Sequence, residues 1–114
     1  MNNQRRKEIK RIENDINFII NCDNIDVSEI TFIITDIQFL LEEEEWCLFN
    51  VPENLTYSEM VSRMENSIEN FNDVIELLDD FITNTRDNEN IKNNNSIKEF
   101  LRNIIDILTL IRVS

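Results

Sequence analysis

The side chains able to do chemistry in this 114-residue chain are almost all carboxylates: 23 acidic residues stand against 11 basic ones, with no histidine and no glycine. Without histidine there is no imidazole base, and without glycine no loop that cradles phosphate through close backbone approach. Hydrolase triads, histidine-containing zinc motifs and P-loops are therefore excluded. Carboxylates at i, i+3 on facing helices can hold Mg²⁺, and two such pairs exist, Glu42 with Glu45 and Glu76 with Asp79. A second pattern is Glu65, Glu69, Asp73, Glu76 and Asp80, which step by 4, 4, 3 and 4. At helical rise these five form a ridge on one face, about 6 Å apart along the axis. A third is the unbroken run Glu42, Glu43, Glu44 and Glu45.

Each pattern has a functional and a plain reading. The two pairs resemble the metal-binding ExxE and ExxD of the all-α nucleotide pyrophosphohydrolases, which implies a Mg²⁺-dependent phosphohydrolase as an alternative function. A hairpin centred near Pro52 opposes it, because Glu42 and Glu45 then lie level with residues 62–65 and not with residues 76–79. The ridge repels itself by a few tenths of a kcal/mol per pair, so helix stability does not explain it. Its interval is comparable to that of phosphates along a DNA strand, so it can imitate nucleic acid before a basic protein surface; the plain reading is a solvated face. Four successive glutamates cover the whole helix circumference, and both candidate seams of the helix place Glu44 inward. The run lies near a helix C-terminus, where negative charge opposes the helix dipole. Arg63, level with Glu44 across the hairpin, is the expected neutralising partner; the plain reading is a bundle that splays open and wets Glu44.

The elements that must position these groups are helical. Ile9, Ile12, Ile16 and Ile19 predict a first helix over about residues 3–21. Asp26 and Glu29 form a capping box, and Ile25 with Ile30 a staple, for a second helix over 27–50. Its seam is Ile30, Ile34, Ile37, Leu41 and Leu48, while Phe32, Phe39 and Trp46, seven apart, form a second stripe. A helix apolar on two faces is central in a bundle or covered by another subunit, so the stripe divides between internal packing and an oligomer interface. Pro52 ends this helix. Thr56 and Glu59 cap a third over 57–85, with core positions Val61, Met64, Ile68, Phe71, Ile75, Leu78 and Ile82. Residues 86–95 read as a mobile polar linker. Ser96 and Glu99 cap a last helix over 97–112, to be laid over helices two and three or swapped onto a second copy. The fold expected is all-α: an antiparallel, coiled-coil-like helical hairpin within a small bundle of about four helices, one domain over residues 1–114.

Charge and composition narrow the partners. Residues 1–21 carry +2, residues 22–90 carry −16 and residues 91–114 carry +2. An acidic body argues against direct binding of nucleic acid and for a basic protein surface. Arg5, Arg6, Lys7, Lys10 and Arg11 crowd the first turns of a helix, where the dipole disfavours cations. They are expected to meet the chain's own acidic body or that of a second copy. No membrane span and no signal-peptide core is visible, so the expected setting is cytoplasmic, in a bacterial host cell. Cys22 and Cys47 read as buried thiols, and neither a metal nor another cofactor is expected.

The segments RRK at residues 5–7, LEEEE at 41–45, NVPENL at 50–55, SE at 58–59 and ENSIENFNDVIELLDDFI at 65–82 resemble a set of small, acidic, uncharacterised helical proteins of Gram-positive bacteria and their phages. The resemblance covers about two-thirds of the chain and departs from it at residues 22–28 and after Ile82. It implies a helical hairpin and a mobile-element setting, and no established activity. The expected function is a non-enzymatic protein-binding module, in the manner of a phage inhibitor of host defence such as an anti-CRISPR, acting as a homodimer. Glu42, Glu43, Glu44, Glu45, Glu65, Glu69, Asp73, Glu76 and Asp80 form the expected partner-binding set, and Phe32, Phe39 and Trp46 the expected oligomer interface.

Overall fold

A computed structural model describes residues 2–85 and 90–114. Four helices dominate: α1 (Asn3–Ile20), α2 (Val27–Phe49), α3 (Glu59–Thr85) and α4 (Asn95–Val113). Between them lie strand β1 (Asn24–Asp26), a short 3-10 turn (Glu53–Leu55) and strand β2 (Asn90–Lys92). No described helix is long and apolar enough to cross a membrane.

Every chain reversal turns the next helix back along the last. The Arg5–Glu44 and Arg11–Asp36 contacts set α1 against α2 head to tail. Stacked Phe81 and Phe100 do the same for α3 and α4. Arg6 reaching the Ser114 carbonyl at 3.3 Å closes α4 back onto α1. The result is an up-down-up-down bundle, 51 × 23 × 20 Å, in which each helix packs on its two neighbours in a ring. The α2–α3 pair is the closest and the α1–α2 pair the loosest.

The core follows the helical period. Ile9, Ile12, Ile16 and Ile19 are buried from α1, as are Ile30, Ile34, Ile37 and Leu41 from α2. Phe71, Val74 and Leu78 meet them from α3, and Leu101, Ile104, Leu108 and Ile111 from α4. A single apolar stripe per helix removes this surface from water at roughly 25 cal/mol per Å², the main stabilising contribution.

Several local expectations are corrected. Asn24, Ile25 and Asp26 pair antiparallel with Lys92, Ile91 and Asn90, so part of the expected linker is a strand. Ile25 is fully buried, which gives this small ladder an anchor in the core. The expected linker residues 86–89 lie outside the described residues. Helix α4 is capped by Asn94, whose side chain accepts from the Ile97 amide at 2.9 Å, and not by Ser96. Helix α3 starts at Glu59, with the Ser58 hydroxyl accepting from the Val61 amide. Thr56 instead donates to the Glu53 carbonyl and closes the 3-10 turn after Pro52. Asp26 caps α2 as expected, accepting from the Ser28 amide at 3.0 Å.

Helix α4 docks on α1 and α3, not over α2 and α3. The reason is a buried carboxylate. Glu13 of α1 receives the Thr109 hydroxyl and, at 2.6 Å, the Arg112 guanidinium. Cys22 and Cys47 are free thiols, half-buried and not interior. Among the described residues no backbone φ is positive, in keeping with a chain that has no glycine.

Candidate partner-binding surface

The glutamate run divides by helix geometry. Glu44 points into the bundle and is 1% exposed, while Glu42 and Glu45 face water and Glu43 is half-buried. The inward register expected for Glu44 therefore holds, and the end of the bundle does not splay to wet it. Its partner is Arg5, with Nε 3.1 Å from Oε2. Neither atom has a hydrogen-bond partner besides this ion pair. Helix α1 begins with Asn2, whose side chain accepts from the Arg5 amide at 2.8 Å, so the capped first turn aims Arg5 at the C-terminal end of α2.

Arg63 was the cation expected there. It does lie level with Glu44, for both line a cavity of about 70 Å³ with Ser67 and Arg6. Yet Arg63 is exposed and bonds Glu59 at 3.5 Å on its own helix. Arg5, carried into the bundle by α1, takes the place at Glu44, and Arg63 stays at the surface.

The ridge keeps its expected form. Glu65, Glu69, Asp73, Glu76 and Asp80 are all exposed, because the opposite stripe of α3, Val61, Met64, Phe71, Val74 and Leu78, is buried in the core. Among the described residues none of the five joins an ion pair, and Arg63, the nearest cation in sequence, is held by Glu59. The helix thus presents a row of carboxylates to solvent over about 22 Å, at 1.5 Å per residue.

The aromatic stripe is not internal. Phe32, Phe39 and Trp46 are 69%, 61% and 67% exposed, and Phe49 extends the line by stacking on Trp46 with ring centroids 6.2 Å apart. Phe18 on α1 is equally bare. A groove runs between α1 and α2, where the two helices pack least closely. It consists of two hollows of about 240 Å³ each, and they share Asp36. Buried Ile12, Ile19, Ile33 and Leu40 form its floor, and Phe18, Phe32 and Phe39 stand at its margins. Glu8, Asp15, Glu29, Asp36 and Glu43 give it an acidic lining. The expected set of functional residues contained the three aromatics of α2 and Glu43, but not Phe18, Glu8, Asp15, Glu29 or Asp36. The signal available in sequence was a phenylalanine off the isoleucine seam of the first helix.

Arg11 bridges the groove. It bonds Glu8 and Asp15 on α1 at 3.1 and 3.2 Å and Asp36 on α2 at 3.4 Å. The hydrogen bond that Arg11 donates to Glu8, and then the charge of Asp36, hold the guanidinium pKa above its ordinary value, against a partial loss of hydration. Arg11 is the cation that ties these two helices together at the surface; Arg5 ties them inside. Of the five cations of the first turns, Arg5 and Arg11 meet the chain's own acidic body, Arg6 reaches the Ser114 carbonyl, and Lys7 and Lys10 face solvent.

The two carboxylate pairs do not come together as a metal site. Glu42 and Glu45 are exposed near the turn, level with the start of α3, and Glu76 and Asp79 are exposed farther along α3. No group of three acidic or thiol side chains among the described residues converges to hold a cation. No protein-family model matches the chain, and neither a curated protein nor a solved structure matches it.

Proposed function

We propose that this protein is a non-enzymatic binding module whose acidic exterior engages a basic, nucleic-acid-binding surface on another protein. Inhibition of a host defence factor by a phage-type protein, an anti-CRISPR among them, is the biological role this chemistry suits. The observation that carries the reading is the solvent exposure of all five ridge carboxylates on one helix. Repelling charges kept in a row cost helix stability, and a partner rich in lysine and arginine offsets that cost on binding while gaining in association rate. Residues 22–90 carry −16, so the long-range field favours cationic surfaces over phosphate backbones.

The test is replacement of Glu65, Glu69, Asp73 and Glu76 together by lysine. These positions are exposed, so the fold is expected to survive, with an unchanged circular dichroism spectrum. Wild-type protein used as bait on a bacterial lysate should retain a nucleic-acid-binding protein that added DNA or RNA displaces, and the quadruple variant should not. Retention of the same partner by both proteins would sink this reading.

A further inference from the structure

Resting on the binding-module reading, we propose that the groove between α1 and α2 is a receptor for one amphipathic, basic helix of the partner. The acidic ridge of α3 can meet a flat cationic surface anywhere along its length, but the groove is more selective. Its floor, Ile12, Ile19, Ile33 and Leu40, is buried, and the apolar surface it offers a ligand is that of Phe18, Phe32 and Phe39 at its margins. Phe32, Phe39 and Trp46 run beside it at helical spacing over about 21 Å, the length of a helix of about four turns. Such a helix places apolar side chains at i, i+3, i+4 and i+7 into the trough, a familiar mode of peptide recognition.

Charge selects this occupant over others. Glu29, Asp36 and Glu43 lie along the groove side of the aromatic row, and Glu42 and Glu45 lie on the other side. An apolar strip with carboxylates along its groove side, joined by Glu42 near Trp46 on the other, matches a helix whose apolar stripe is bordered by lysine and arginine. A second copy of this chain would set the same carboxylate rows against each other, and anionic lipid would be repelled by them. Arg11 occupies the middle of the groove through Asp36, so an incoming cation exchanges for one already there and Asp36 is neutralised before and after docking.

The chain's only tryptophan stands at the end of the aromatic row beyond the two hollows, so its fluorescence reports on a peptide laid along the whole row. The probe is a synthetic leucine–lysine peptide of about 18 residues with leucines at helical spacing. The control is a peptide of identical composition shuffled to destroy the apolar stripe. The protein variants are Phe32→Ser with Phe39→Ser, and separately the ridge variant with Glu65, Glu69, Asp73 and Glu76 replaced by lysine. The proposal expects a blue shift of Trp46 emission and binding by titration calorimetry at least about tenfold tighter for the amphipathic peptide than for the shuffled one. The double Phe variant, folded by circular dichroism, should lose about tenfold in affinity, and the ridge variant should retain binding within about threefold. Equal binding of the two peptides, or unchanged binding to the Phe variant, overturns the groove. If the ridge variant alone then loses binding, the acidic-module reading stands without it. A concentration-dependent dimer dissolved by the two Phe substitutions also overturns the proposal, by making a second copy the occupant.

Discussion

At the scale of single residues the ion pair between Arg5 and Glu44 decides the most. A carboxylate with 1% exposure survives in a bundle only if a cation comes in with it. Removing one partner strands the other, so Glu44→Ala should cost about 3 kcal/mol in urea unfolding. The combined change Arg5→Met and Glu44→Leu should restore most of that loss, since replacing a buried pair by apolar groups of similar size is close to neutral. Arg11→Gln is a milder case. The side chain is half exposed, so stability should change by no more than about 1 kcal/mol. Affinity for the basic amphipathic peptide should rise about threefold, because Asp36 is released to the ligand. The inward position of Glu44 could be read from the seam of its helix, because the direction of a side chain follows from helical period. Its partner could not. Level along a two-helix hairpin points to Arg63, but such a hairpin is flat and leaves out α1, from which the actual partner, Arg5, comes.

Among the elements, the four helices were legible because each carries three or more turns of apolar period. The strands were not, for three residues such as Asn24–Asp26 or Asn90–Lys92 show no period at all. Their pairing depends on Asn93, whose amide group donates to the Ile19, Ile20 and Cys22 carbonyls at 3.2, 3.0 and 2.8 Å. A distant asparagine thus satisfies the orphan carbonyls at the end of α1 and fixes the entry to α4. No local rule names it among the run of asparagines in the presumed linker. Asn93→Ala should cost about 1–2 kcal/mol and speed amide exchange in the last turn of α1 and in β2, measured by hydrogen exchange with mass spectrometry. Placement of α4 was open in sequence for a similar reason. Glu13 sits among the isoleucines of α1 and looks like a surface residue until Thr109 and Arg112 arrive to meet it.

For the whole molecule, the important outcome is how charge and apolar surface are distributed. The α2–α3 hairpin holds the acidic excess; Arg5 of α1 neutralises its buried Glu44, Arg112 of α4 neutralises Glu13 of α1, and the outer faces of the hairpin stay negative. The ridge was legible because its spacing alone sets the face. The groove was not, since it depends on how far α1 stands from α2. The exposed aromatics contribute little to folding: Phe32→Ser, Phe39→Ser and Trp46→Ser should each change stability by no more than about 0.5 kcal/mol by urea denaturation. A loss well above that would mean the row is covered in solution, and sedimentation equilibrium on the same variants would show whether by a second copy.

The turns of this molecule also bear on its unfolded state. Both Asn21 and Asn50 end a helix with φ of −86° and −91°, each returning its side-chain amide to a carbonyl four residues back. Many helices end instead in a left-handed residue, where glycine is the favoured choice. Here glycine would gain nothing in the native state and would widen the range of conformations open to the denatured chain. A chain without glycine has less backbone entropy to lose on folding, which helps a modest core hold an exterior of mutually repelling carboxylates.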